Sequence, residues 1–273
     1  MYVGFEIDQY QPTNPYSKID TYIYDAKKRI DNLARFIIGS YHQPSVLDAE
    51  ALSAEIFPES DYHVFLSHSH ADQRNAIDLA LELGKHGLKV FVDSTVWGFF
   101  GDLVSKIIAD TRPLDGETRE AHVHRIHADV HMMLAGALHR TIARAETFVF
   151  VRSEKSVPLN FGDKARTFSP WLYSELQFSF QVQHVVPPRV VERQREVLLD
   201  DVKGFNNYGL ESLQHLTAFR VFNEHLPPVA GSQLRDWLVQ QPTSVQGHAM
   251  LDALYKRFDV PGQYQRKREL LKV

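Results

Sequence analysis

The fold class of this chain is decided by the stretch DYHVFLSHSHAD at residues 61–72. Residues 64–66 form a short apolar run that stops at polar, turn-forming residues, as is typical of a strand buried on both faces of a parallel sheet. Residues 73–86 carry apolar side chains at helical spacing, and Gly87 suits the position that follows a helix. A second apolar run, LKVFVD at 88–93, comes next. This strand–helix–strand unit predicts a parallel sheet with a right-handed crossover.

Polar residues stand at the predicted carboxyl ends of both strands. Ser67 and His68 end the first strand, and Asp93 ends the second. In open parallel sheets, ligands bind beyond the carboxyl ends of the strands, where the strand order reverses. We therefore expect these residues near a ligand site, although a serine or histidine in such a loop more often only caps a helix.

A third buried strand is predicted at residues 147–151, TFVFV, after a helix at 130–145. The polar residues RSEKS at 152–156 follow it, as polar residues follow the first two strands. Beyond residue 180 the pattern weakens. The candidates there are a fourth strand at 182–186, an apolar run at 197–199, a turn at 206–209, a strand or helix at 216–222, and helices at 233–240 and 245–258.

Residues 1–60 are predicted to form a helical N-terminal extension. Apolar side chains recur at helical spacing between residues 17 and 40, and a second, shorter helix is expected at 46–56, before Pro58. The extension is expected to pack against the main domain or to form an oligomer contact.

The main α/β domain is predicted at residues 61–260, with an insertion at about 94–128 after the second strand. The insertion is expected to hold a short helix at 102–109 and a solvated loop at 112–120. Residues 261–273 read as a basic, solvated C-terminal tail.

The stretch SPWLYSEL at residues 169–176 begins with a helix-start signal. Ser169 is a good N-cap, and Pro170 suits the first helical position because its φ is already helical. Trp171 and Glu175 are then four residues apart, on the same face of the helix. An indole ring beside an acid can form a partly dry pocket around one charge. The alternative is a core tryptophan with a solvated surface acid.

The composition excludes several classes of function. The net charge is −4 and the pI is about 6.4, so no attraction to nucleic acid or to an anionic membrane is implied. The chain has no cysteine, which excludes disulfides, thiol nucleophiles and cysteine-based zinc sites. No apolar run approaches membrane-spanning length, and the N-terminus lacks a signal-peptide pattern. A cytoplasmic protein is expected.

Four histidines between residues 122 and 131 raise the question of a metal site. His127 and His131 have the i, i+4 spacing of ligands on a helix, and His122 and His124 lie close by. No carboxylate stands at a recognised metal-site spacing. We therefore expect no metal here, and a solvated, pH-sensitive surface instead.

Two of these motifs, VFLSHSHAD with KVFVD and then SPWLYSEL about 100 residues later, resemble those of Toll/interleukin receptor (TIR) domains, especially bacterial ones. The resemblance implies a flavodoxin-like fold, with a five-stranded parallel sheet and helices on both faces. Residues 96–101, VWGFFG, would occupy the loop that contacts a neighbouring subunit in that family. Self-association through TIR–TIR contacts is implied in the same way.

Many TIR domains cleave NAD between nicotinamide and ribose. By resemblance, Glu175 would be the catalytic carboxylate and Trp171 the wall of its pocket. The same resemblance places Ser67, His68 and Asp93 around the substrate and Trp97 in the mobile loop. NAD is then a substrate rather than a cofactor, and the product is either ADP-ribose or a cyclic derivative. The family further implies a role in anti-phage defence or immune-type signalling, with a partner or sensor protein.

Two other functions share this fold. Many TIR domains are adaptors without catalysis, although an adaptor has no need of the Trp171–Glu175 pair. A phospho-acceptor receiver domain would use Asp93, but it would also need an acidic pair where Ser67 and His68 stand. NAD turnover by purified protein separates the enzyme from the adaptor.

Overall fold

The computed structural model describes residues 1–28, 37–38, 46–57, 60–94, 100–161, 164–191 and 217–271. The chain divides into two compact units. The first consists of Met1–Thr13, Asp61–Val92 and Ile142–Val273, and the second of Asn14–Ser60 and Asp93–Thr141. Most of the predicted N-terminal extension thus belongs to the same unit as the predicted insertion.

The strands, in chain order, are β1 (Val3–Asp8), β2 (Ile37–Ile38), β3 (Val46–Leu47), β4 (Val64–His68), β5 (Val90–Val92), β6 (Thr147–Arg152), β7 (Leu159–Phe161), β8 (Lys164–Thr167), β9 (Phe219–Arg220) and β10 (Pro228–Ala230). The α-helices are α1 (Tyr16–Lys28), α2 (Ala49–Ile56), α3 (Gln73–Lys85), α4 (Phe100–Asp110), α5 (Arg119–Arg144), α6 (Pro170–Gln181), α7 (Pro188–Val191), α8 (Gly231–Gln240), α9 (His248–Phe258) and α10 (Val260–Leu271). A short 3₁₀ turn at His70–Asp72 precedes α3.

The first unit contains a five-stranded parallel sheet in the order β10-β1-β6-β4-β5. The predicted α/β class with a parallel sheet is therefore confirmed. The three strands predicted from apolar runs, β4, β5 and β6, are adjacent in the order β5-β4-β6. This order matches the first three positions of the flavodoxin-like order 2-1-3-4-5.

The fourth strand of the sheet, counted from β5, is the N-terminal strand β1. β1 pairs in parallel with β6 along its whole length, and β10 pairs with the other side of β1. The predicted fourth strand at 182–186 is wrong, because α6 ends at Gln181 and residues 182–187 are irregular. The candidate last strand at 216–222 contributes β9, which belongs to a separate antiparallel sheet with β7 and β8.

The N-terminal residues thus belong to the α/β unit and not to a helical extension. Met1 and Tyr2 are buried, and the Met1 amino group donates a hydrogen bond to the Ala143 carbonyl at 2.7 Å. The alternation of Val3, Phe5 and Ile7 with smaller or polar residues is the strand signal that the sequence prediction missed.

The C-terminal end is also more structured than predicted. Residues 260–271 form α10, which packs against β1 and buries Tyr264 almost completely. The basic residues of this segment therefore belong to a packed helix rather than to a solvated tail.

The two faces of the sheet are covered by different helices. A methyl group built on Gly4 would lie 3.5 Å from the Tyr264 ring, so α10 covers the Gly4 face of β1. The same face carries Ser67, and α6 packs there. The opposite face is packed by apolar side chains of α3, α8 and α9. The residues of that second layer are Phe5, Ile7, Val64, Val149, Leu79, Leu83, Leu234, Leu251 and Leu254.

The second unit contains α1, α2, α4, most of α5 and the short antiparallel pair β2–β3. The helix predicted over 17–40 ends earlier than expected as α1, since residues 37–38 are a strand. The helix predicted at 46–56 begins at Ala49, where the Asp48 side chain caps it by accepting the N–H groups of Glu50 and Ala51. The candidates at 197–199 and 206–209 lie outside the described residues.

None of the helices in the described parts of the chain has the length and apolar character that crossing a bilayer requires.

Candidate functional site

The helix α6 begins as its sequence predicts. The Ser169 hydroxyl accepts the N–H of Leu172 at 3.2 Å, and Pro170 is the first helical residue. Trp171 is half-buried, whereas Glu175, one turn later, is completely buried. The helix thus places an acidic side chain in the interior of the protein. A buried acid is stable only where other groups satisfy it.

The partner of this acid is Ser67, the fourth residue of β4. The Ser67 hydroxyl donates to Glu175 Oε2 at 2.5 Å, and both side chains are fully buried. This proximity of α6 and β4 follows from the predicted order of elements. This hydrogen bond holds the carboxyl group of Glu175 in one orientation.

The pair lies at the point where the strand order of the sheet reverses. The chain leaves β4 toward β5 on one side, and β6 is the neighbour on the other side. Such a switch point leaves a crevice at the carboxyl ends of the strands, which is where open α/β sheets bind ligands. Ser67 and Glu175 therefore occupy the position expected of a ligand site.

The loops that follow β4 and β6 are tied together by Asp72. Its Oδ2 accepts the Ser69 hydroxyl at 2.5 Å and the Ser153 hydroxyl at 2.6 Å. Asp72 is buried, so these hydrogen bonds replace its contacts with water. The sequence prediction noted both polar strand ends but assigned no role to Asp72 or Ser153. Their shared position at strand ends was the only signal available.

His68 stands differently from Ser67. Since side chains alternate along a strand, His68 leaves β4 on the opposite face from Ser67. The charge of Glu175 nevertheless acts on the His68 ring, so the prediction that Ser67 and His68 line one pocket stays a prediction. Burial lowers the pKa of His68 to about 4, although the negative charge of Glu175 works in the other direction. His68 is consequently neutral at pH 7.

For two other predicted site residues, Asp93 and Trp97, a place at this site stays a prediction. Asp93 belongs to the second unit, where it is buried and its Oδ1 accepts the N–H of Ser94 at 2.7 Å. Trp97 lies outside the described residues. Among the predicted site residues, Glu175 and Ser67 are in direct contact, and Trp171 lies one helical turn before the acid.

The histidines of α5 do not form a common surface. His122 is buried, contrary to the prediction of a solvated cluster, with its ring between the Thr111 hydroxyl and the Arg125 guanidinium. His127 and His131 instead lie near the ring of Phe100. Within the described ranges, no group of three or more histidine, cysteine, aspartate or glutamate residues could hold a metal ion.

No protein-family model, curated protein or solved structure matches the chain. The resemblance to TIR domains therefore rests on the two motifs quoted above.

Proposed function

We propose that this protein is a TIR-type enzyme that cleaves NAD at the bond between nicotinamide and ribose. The observation that carries this proposal is the buried Glu175 carboxylate, held by Ser67 at the switch point of a parallel sheet. A single acid in this position suits a reaction that needs charge stabilisation more than proton transfer.

The chemistry requires little of the protein beyond one negative charge. The nicotinamide of NAD is already positively charged, so it leaves with the electron pair of the glycosidic bond and becomes neutral without a general acid. The ribose carbon left behind resembles an oxocarbenium ion, which a fixed carboxylate stabilises. Addition of water then gives ADP-ribose and a proton, whereas attack by a group of the same molecule gives a cyclic product.

Each residue near α6 has a distinct part in this proposal. Glu175 would face the ribose and stabilise its developing positive charge. Ser67 fixes the carboxylate through the hydrogen bond to Oε2. Trp171, half-buried one turn earlier, would offer its indole face to the nicotinamide ring. Burial strengthens the electrostatic effect of Glu175, since charges interact more strongly where water is excluded.

The direct test is incubation of concentrated protein with NAD, followed by chromatography of the products. Glu175→Gln keeps the shape of the side chain and removes its charge, so we expect at least a 100-fold loss of nicotinamide release. The matched control is Glu120→Gln, since Glu120 is an exposed residue of α5 in the second unit. Equal turnover by wild type and Glu175→Gln would remove Glu175 from the mechanism.

A second candidate function is a non-catalytic interaction module. The observation that favours it is the complete burial of both Ser67 and Glu175, which suits a pair whose role is to hold α6 against the sheet. This alternative predicts self-association in analytical ultracentrifugation without release of nicotinamide at any protein concentration. An enzyme whose pocket is completed by a second subunit would instead gain specific activity as its concentration rises.

A further inference from the structure

A second buried carboxylate lies on the same face of the sheet as the Ser67–Glu175 pair. Ser67 of β4 is in register with Phe150 of β6, and Phe150 is in register with Glu6 of β1. Residues in register on parallel strands point to the same face. Glu6 is only 6% exposed, which is costly for a carboxylate unless other groups stabilise it.

Two side chains hold Glu6 at this position. Asn223 donates to Oε2 at 2.6 Å, and the Arg152 guanidinium donates to Oε1 at 3.3 Å. Burial raises the pKa of Glu6, and the positive charge of Arg152 is the largest of the effects that oppose this rise. Lys267 of α10 adds a further positive charge nearby. Two cations, Arg152 and Lys267, therefore act on this buried carboxylate.

Of these two cations, Arg152 comes from the carboxyl end of a strand. It is the last residue of β6, two positions after Phe150, and a quarter of its side chain is exposed. Strand geometry puts its Cα about 8 Å from that of Ser67, two residues along β6 and one strand across. Arg152 thus lies on the Glu175 face of the sheet, and its guanidinium turns toward Glu6 of β1, the strand on the other side of β6 from Ser67.

We propose that Arg152, oriented by Glu6 and Asn223, binds the phosphate groups of the nucleotide substrate of this site. The inference rests on the proposed function, because it places the pyrophosphate of NAD one ribose away from the bond cleaved beside Glu175. Arginine is suited to this task, since its planar fork donates two parallel hydrogen bonds to phosphate oxygens. Glu6 is a positioning residue, which orients the fork and does not touch the substrate.

The kinetic test compares substrates with and without phosphate. In Arg152→Gln we expect KM for NAD to rise about 10- to 100-fold, the loss of a charged bidentate contact, with little change in kcat. Hydrolysis of nicotinamide riboside, which carries no phosphate, should be unchanged. Arg152→Lys keeps the charge without the fork and should recover part of the loss.

Two more variants separate binding from folding. Arg152→Gln leaves Glu6 buried without the guanidinium that donates to it, so the double variant Glu6→Gln/Arg152→Gln removes both members of the ion pair and should restore the midpoint of thermal unfolding. The double variant should still bind NAD as weakly as Arg152→Gln. Glu6→Gln alone should raise KM for NAD in the same direction by a smaller factor, since the guanidinium remains but loses its anchor.

Direct binding of ADP, measured by calorimetry, tests the inference independently of catalysis. We expect wild type and Glu175→Gln to bind ADP alike, and Arg152→Gln to bind it about tenfold more weakly or worse. Absence of NAD turnover by wild type, with this ADP pattern intact, would refute the proposed function and leave the phosphate site standing. Failure of wild type to bind ADP, or equal binding by Arg152→Gln, would overturn the phosphate site.

Discussion

The Ser67 hydroxyl and the Glu175 carboxylate are 108 residues apart in the sequence and 2.5 Å apart in the fold. This one contact joins β4 to α6 and fixes the orientation of the acid. Because neither side chain is exposed, water cannot replace the hydrogen bond when one partner is removed. The contact should therefore affect both stability and activity.

Ser67→Ala should show both effects. Loss of the donor leaves a buried carboxylate less well satisfied, so we expect the free energy of unfolding to fall by about 1–3 kcal/mol. We also expect nicotinamide release to slow, because the carboxylate loses its fixed orientation. Urea denaturation and a chromatographic assay give the two readouts.

The matched control for that experiment is Ser179→Ala on the same helix. Ser179 is also buried, but its hydroxyl donates to the Leu176 carbonyl and contacts the His225 ring. Its loss should lower stability and leave turnover unchanged. If both serine variants behave alike, the Ser67–Glu175 bond is structural only.

The link between the two loops at Asp72 should be measurable by a double-mutant cycle. Ser69→Ala and Ser153→Ala should each cost roughly 1–2 kcal/mol of stability in the wild-type background. In an Asp72→Ala background each should cost much less, since both hydroxyls donate to Asp72 Oδ2. If each serine substitution cost the same stability in both backgrounds, the Asp72 hydrogen bonds would not couple the loops.

The parts of the fold that could be predicted from the sequence are those with a local signal. The apolar runs of β4, β5 and β6 and the capped start of α6 are each specified within about ten residues. The proximity of Glu175 to Ser67 then follows from topology, because parallel strands bring their carboxyl ends to one edge. These elements could therefore be predicted from local sequence patterns and their order along the chain.

The missed elements lack such signals. β10 has three residues and begins with a proline, which is unusual within a sheet. The placement of β1 beside β6 depends on competition between strands for one position, which periodicity does not reveal. Glu6 and Arg152 are 146 residues apart, and nothing in either neighbourhood indicates that they pair.

The amino ends of the strands lie at the other end of the sheet from Glu175. A variant there should change stability and leave activity unchanged. At the amino end of β6, Glu146 accepts hydrogen bonds from Tyr255 and, bidentately, from the guanidinium of Arg189. Arg189→Lys removes the fork, so we expect a loss of about 1–3 kcal/mol in urea denaturation. NAD turnover should not change, because this edge is remote from Glu175. A large fall in turnover at a temperature where the variant is folded would argue against a site at the carboxyl edge.

Stability should fall in acid because histidines are buried in their neutral form. Burial, reinforced by Arg268 and Lys267, lowers the pKa of His225 to about 3, and burial lowers that of His68 to about 4. In the unfolded chain both should titrate near pH 6.5. The unfolded state therefore binds more protons below pH 6.5, and the stability contributed by the neutral rings is lost as the pH falls from about 6.5 toward 4 and then 3.

The variant His225→Phe isolates one of these titrations. The His225 ring packs against Phe180 and Tyr264, and its buried Nδ1 makes no hydrogen bond within the described part of the chain, so an apolar ring suits the position. Each histidine should contribute about 1 kcal/mol of stability per pH unit in this range. We expect urea denaturation between pH 7 and 4.5 to give a shallower pH dependence for His225→Phe than for wild type. The exposed His124, replaced by glutamine, should leave the slope unchanged. Equal slopes for His225→Phe and wild type would show that His225 takes up its proton at the same pH in the folded protein as in the unfolded chain.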